Sequence, residues 1–233
     1  MRRTILIFAS MAFVAGLVAS HANAQARSYS ALPPGTGGTA GAKTIDGIAA
    51  RIGDDILTES EVRELSAFQR LVDGHAKTRP ELIQELADQW IVRGEASEAK
   101  YPEPSAEDVD RAYMQLEKQF PTQEEFKRRC ISEGLSESAV RRLLGQQLYL
   151  ARFLDFRFRP AAQVDQRQIE TFYDTEFAPQ LRKRGQAVPA LADVADTIRE
   201  VLVQRAINKR ATAWLDDTRK SLTIDVVPEA AAP

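Results

Sequence analysis

The chain has 233 residues, 44% of them apolar and 27% charged, and a formal net charge of −2. This is ordinary globular composition, long enough for one good core or two small ones. A single cysteine, Cys130, excludes an internal disulfide, and two histidines without a cysteine cluster exclude a zinc site built on several histidines.

Arg2 and Arg3 precede the apolar run ILIFASMAFVAGLVAS, and Ala22-Asn23-Ala24 supplies a small-x-small cleavage pattern. Residues 1–24 therefore read as a signal peptide cut after Ala24. The apolar run is short for a membrane span, and no cysteine follows it to carry a lipid. Cleavage would remove Arg2 and Arg3, leaving 29 basic against 33 acidic side chains, a net charge of −4. That balance argues against nucleic acid as a partner. Residues 25–44, QARSYSALPPGTGGTAGAKT, are too poor in large apolar residues to order themselves and read as a flexible leader.

The folded part begins near Ile45. IAARI, the turn cluster Gly53-Asp54-Asp55 and Ile56-Leu57 read as strand, turn and strand. Thr58 with Glu61 forms a capping box, and Val62, Leu65, Phe68 and Leu71-Val72 share one helix face up to Gly74. Pro80 opens a second helix carrying Leu82, Ile83, Leu86, Trp90 and Ile91. Pro102 and Pro104 break it, and Ser105 restarts a third helix with Val109, Tyr113 and Leu116. Thr122 with Glu125 reads as another capping box, and Gly134 as a helix stop. A longer helix follows, with Val140, Leu143, Leu144, Leu148, Ala151 and Leu154 on one stripe up to Pro160. Asp165 caps a further helix, and APQLRKRGQAVPA reads as a basic connecting loop.

The last helix, about 191–221, has an apolar stripe that changes side. Val194, Ile198 and Val201 lie on one face; Ile207, Ala211, Trp214 and Leu215 lie on another. At about 100° per residue, Ile198 and Ile207 point about 180° apart. Such a helix touches two bodies of structure or leaves one face free. The closing LTIDVV, 222–227, is a lone β segment. Isolated strands are unstable, so its expected partner is 48–57, which would join the two ends of the fold.

The order of these segments resembles the SurA-type periplasmic chaperones. IAARIGDDILTESEV resembles the family's opening strands and first helix, and ELIQELADQWIV its second helix. PSAEDVDRAYMQLEKQF and PTQEEFKRRCISEGLSESAVRRLLGQQLYLARFL resemble its third to fifth helices, with EEF and GLS between Glu124 and Ser136. QIETFYDTEF resembles the segment before the family's prolyl-isomerase domain. ADVADTIREVLVQRAINKRATAWLDDTRKSLTIDVV resembles its closing helix and strand. The resemblance spans about Ile45 to Val227.

It implies a mainly α fold, a multi-helix module whose small β element pairs 48–57 with 222–227. The implied organisation is a helical core at 45–160, a helix and loop at 161–190, the long helix and closing strand at 191–227, and a tail at 228–233. Relatives carry an isomerase domain where this chain has only Ala178 to Ala190, so no enzymatic activity is expected. The implied function is an ATP-independent periplasmic holdase for unfolded, aromatic-rich exported or outer-membrane polypeptides. No P-loop is present, and no cofactor is expected.

Expected partners are those polypeptides and the outer-membrane assembly machinery. A homodimer through the C-terminal helix stays open as an alternative. So do a peptidyl-prolyl isomerase completed by a partner and a dedicated structural partner in the envelope. A hydrolase built on His75 lacks a G-x-S-x-G elbow. Candidate peptide-binding residues are Phe68, Trp90, Tyr113, Met114, Tyr149, Phe153, Phe156, Phe158, Phe172 and Trp214. Helical spacing alone predicts core burial for most of them. The run RFLDFRF is the exception, because Phe153, Phe156 and Phe158 cannot all face one core. The basic run 181–185, LRKRG, reads as a solvated loop that could meet acidic clients or anionic headgroups.

Overall fold

The computed structural model describes residues 46–228. The signal peptide expected at 1–24, the leader expected at 25–44 and most of the expected tail lie outside the described residues. The fold is mainly helical with one small antiparallel sheet. Strand β1 (Ile48–Ile52) turns into β2 (Asp55–Thr58), and β3 (Ile224–Val226) pairs with the other side of β1. The helices are α1 (Glu59–Asp73), α2 (Arg79–Glu98), α3 (Ala106–Glu117), α4 (Gln123–Ser132) and α5 (Glu137–Phe158). Then come α6 (Gln166–Phe172), a π-helical turn (Tyr173–Phe177), α7 (Ala178–Lys183) and α8 (Leu191–Lys220).

The sheet closes the chain as expected. Ala50 pairs with Val226, Arg51 with Asp225 and Ile52 with Ile224. The closing strand is shorter than 222–227, and the backbone contacts extend it at both ends: the Val227 amide donates to the Ala49 carbonyl at 2.9 Å, and that of Gly53 to Thr223 at 3.4 Å. Gly53 adopts a φ of 56°, at the loop position where a two-residue hairpin of the II′ class needs glycine.

The caps read from sequence are in place, with one exception. The Thr58 hydroxyl accepts from the Glu61 amide at 3.2 Å, and the Glu61 carboxylate accepts from the Thr58 amide at 2.8 Å. Thr58→Ala is expected to cost about 1 kcal/mol in urea unfolding. Thr122 makes only half of its expected box. Its hydroxyl accepts from the Glu125 amide at 3.1 Å, but the Glu125 carboxylate turns to Arg128 instead.

Three apolar clusters form the core. The first joins α1, α3, α4 and the start of α5 around Phe68, Leu71, Tyr113, Phe126 and Val140. Cys130 is buried in it as an ordinary packing residue, and burial pushes its thiol pKa up. The second joins the sheet to α1 and α2 through Ala50, Ile52, Leu57, Val62, Leu65, Leu82 and Ile83. The third joins the C-terminal halves of α2, α5 and α8 through Ile91, Val92, Ala96, Leu150, Phe153, Leu154, Ala211 and Leu215.

Helix α2 is the hub, packed against α1, α5, α8 and the sheet. Being covered on several sides, it buries two carboxylates, Glu85 and Asp88. Buried charges need partners. The Gln69 amide donates to Glu85 at 2.9 Å and the Lys77 ammonium at 2.5 Å. Asp88 faces Arg219 of α8 at 2.8 Å.

The change of side in α8 has its structural cause. Ile198 and Ile207 are both buried. The helix packs on α6 as well as on α2 and α5, so opposite faces meet different neighbours. Arg205 reaches Glu176 at 2.9 Å. Arg159, just past α5, bridges Asp155 at 2.8 Å and Glu200 at 2.7 Å. The expected loop after Phe177 is partly helical: α7 runs on directly from the π-helical turn, with Pro179 near its start.

Candidate peptide-binding surface

The C-terminal half of α5 collects aromatic side chains. Tyr149, Phe153 and Phe156 stand at i, i+4 and i+7, a spacing that keeps them on one helix face. Tyr101 meets all three from the loop after α2. Its ring centroid lies 6.0 Å from that of Tyr149, 5.7 Å from Phe153 and 5.3 Å from Phe156. These separations favour tilted and edge-to-face contacts over stacking.

Tyr101 is aimed there by the end of α2. Lys100 adopts a left-handed φ of 51°, and the Tyr101 amide donates back to the Ala96 carbonyl at 2.9 Å. This is the reversal a Schellman-type helix end produces. Lysine is strained in that conformation and glycine is not, so Lys100→Gly is expected to raise stability by about 0.5–1 kcal/mol in thermal unfolding.

The last turn of α5 makes a second aromatic contact, with α8. Phe158 and Trp214 lie 5.8 Å apart. The Arg157 guanidinium sits 4.8 Å from the Trp214 ring centre and 5.7 Å from that of Phe158. Arg157 also donates to Glu95 at 2.9 Å, which ties the cation to α2. Trp90 packs between the second and third clusters, and its indole N–H donates to Asp55 at 2.8 Å. Trp90, Tyr101, Tyr149, Phe158 and Trp214 pack on the third core cluster, which contains Phe153, and Phe156 joins the group through Tyr101.

Phe156 is the ring left in water, at 62% exposure, whereas Phe153 is at 1% and Phe158 is half-buried. RFLDFRF does split as the spacing required. Three candidates are corrected: Phe68, Tyr113 and Phe153 are core residues. Phe68 and Tyr113 belong to the first cluster, because inward positions of α1 and α3 pack on α4 and α5. Phe153 anchors the aromatic group from beneath and cannot itself meet a ligand. Met114 is exposed on α3, away from this group. Phe172 sits on α6 under the Arg205 guanidinium at 4.6 Å, in the part of the fold that packs on α8. Tyr101 was missed because it lies in a loop, outside any helical repeat.

Electrostatics hold the rim of this surface. Arg152 donates to Asp108 at 2.5 Å, and this bond is the main reason the Asp108 carboxyl stays well below the usual range. His75 lies on an exposed loop, its Nδ1 3.0 Å from the Asp73 carbonyl. Among the described residues, no group of histidine, cysteine and carboxylate side chains could hold a metal ion, and no helix is long and apolar enough to cross a membrane. What the surface offers is apolar contact edged by the paired arginines Arg152 and Arg157. No family model and no curated protein matches this sequence.

Proposed function

We propose that the chain is an ATP-independent holdase of the SurA type. It is exported to the periplasm, where it takes unfolded, aromatic-rich exported or outer-membrane polypeptides onto the surface formed by α5, α2 and α8. One observation carries this reading: Phe156 stands 62% exposed inside a ring group braced by buried Phe153. Phe156 adjoins half-buried Tyr101, which in turn meets half-buried Tyr149, and contiguous exposed apolar patches mark interaction sites. Aromatic surface is also what adaptable binders use when many sequences must fit.

Two further features support it. The place where relatives carry an isomerase domain holds α7 and a short connection, which favours binding without catalysis. The sheet joins the two ends of the described fold, which keeps the α2–α5–α8 surface preorganised.

The test is suppression of aggregation without ATP. An unfolded outer-membrane barrel protein is diluted from urea with the purified protein, and light scattering is followed. Delayed scattering at near-stoichiometric ratio is the expected result, weakened by Phe156→Ala and Tyr101→Ala. Unchanged scattering with the protein in excess would end the holdase reading and favour a dedicated envelope partner.

A further inference from the structure

The sheet order β2-β1-β3 leaves β3 on an edge. The Val227 amide and the Thr223 carbonyl bond to β1, and backbone direction alternates along a strand. Asp225 therefore also faces β1, opposite Arg51. Ile224 and Val226 turn their N–H and C=O groups outward, away from the ladder. An open edge of this kind is a template for another strand.

The side chains give this edge a pattern. Ile224 lies opposite Ile52 and Val226 opposite Ala50, on the face that continues the core. Val226 remains 52% exposed. Asp225 lies between them on the other face and is exposed. A neighbouring strand would meet apolar, acidic and apolar residues in turn. The edge of β2 offers less, since only Ile56 turns its backbone groups outward there and the Thr58 amide is taken by Glu61.

We infer that the outer edge of β3 binds an extended client segment as a fourth strand, one that alternates apolar, basic and apolar residues. Backbone bonds to Ile224 and Val226 hold the segment, and its side chains read the edge. The two apolar residues extend the packing of Ile224 and Val226, and the basic residue pairs across with Asp225. Such cross-strand pairs are the stabilising unit of a sheet. A second copy of this chain fits poorly: the register that pairs all of β3 with its copy sets Asp225 against Asp225, and opposed like charges destabilise. The inference deepens the holdase reading and rests on it for the nature of the client; strands of outer-membrane barrels alternate in this manner.

Binding of a labelled peptide, Thr-Val-Lys-Val-Thr, is followed by fluorescence anisotropy, with amide exchange read at Ile224 and Val226. Val226→Pro removes one outward donor and leaves the β1 ladder intact, as proline permits on an edge. It is expected to weaken binding about tenfold with an unchanged circular dichroism spectrum. Asp225→Lys is expected to move the preference to Thr-Val-Glu-Val-Thr, which keeps the test open if Val226→Pro fails to fold. Peptide should slow exchange at both outward amides. Binding indifferent to both variants, without protection at Ile224 and Val226, overturns the inference. So does a dimer in sedimentation that Val226→Pro dissociates, since the occupant is then a second copy. Aggregation suppression that persists while the peptide test fails removes only the edge site; the loss of suppression itself removes the holdase reading.

Discussion

Replacing Arg219 by methionine is expected to lower unfolding stability by about 3–5 kcal/mol near neutral pH, because it leaves a buried carboxylate without its cation. Asp88 is 5% exposed, and Arg219 Nε lies 2.8 Å from its Oδ1. The angle is poor, so neither atom completes a hydrogen bond, and the pair is held by charge. Burial pushes the Asp88 pKa up to about 6, against the pull of Arg219. The unfolded value is 3.8. Because the folded pKa is the higher one, this group's contribution to stability is full below about 4 and is lost as pH rises through about 6. In Arg219→Met the folded pKa rises further, so the variant's deficit grows above about 6 and shrinks below it. Denaturant titrations across that range read both effects. Asp88→Asn combined with Arg219→Met should recover most of the loss, since a buried pair removed whole costs little. A deficit independent of pH would contradict this account.

The second large effect separates support from contact within the aromatic group. Phe153→Ala is expected to cost about 3–5 kcal/mol, since a fully buried ring leaves a cavity in the third cluster. Phe156→Ala, on the same helix face, is expected to change stability by less than about 1 kcal/mol, because its ring is mostly in water. Client binding should fall for Phe156→Ala in protein that melts like the original. Equal destabilisation by the two changes would place Phe156 in the core and remove it from the surface.

Much of the fold was legible because its signals are local or have no alternative. LTIDVV had one β segment to pair with, and that pairing is present. The half-turn between Ile198 and Ile207 left two choices for α8, two neighbours or one free face, and the burial of both residues selects the first. Proline and the basic run hid α7, a helix short enough that its neighbours decide whether it forms. The buried carboxylates of α2 were also illegible. Glu85 and Asp88 sit in a helix whose polar residues normally face water, and the Asp88 partner lies far along the chain in α8. The surface was legible only in part. Helical spacing showed that Phe153, Phe156 and Phe158 could not all face one core and put Phe68 and Tyr113 on apolar stripes, but it did not show which ring would be exposed or that Tyr101 would brace it.

Site-specific photo-crosslinking shows whether clients sit on the aromatic surface. A photoreactive phenylalanine is placed at position 156 in one variant and at position 131 in another, and each is irradiated with an unfolded outer-membrane polypeptide. Ile131 is the more exposed position, at 76% against 62% for Phe156, but it stands outside the aromatic group. The account predicts strong crosslinks from position 156 and few from position 131. Equal crosslinking at both positions, or none at 156, would show that clients are not held on the aromatic surface.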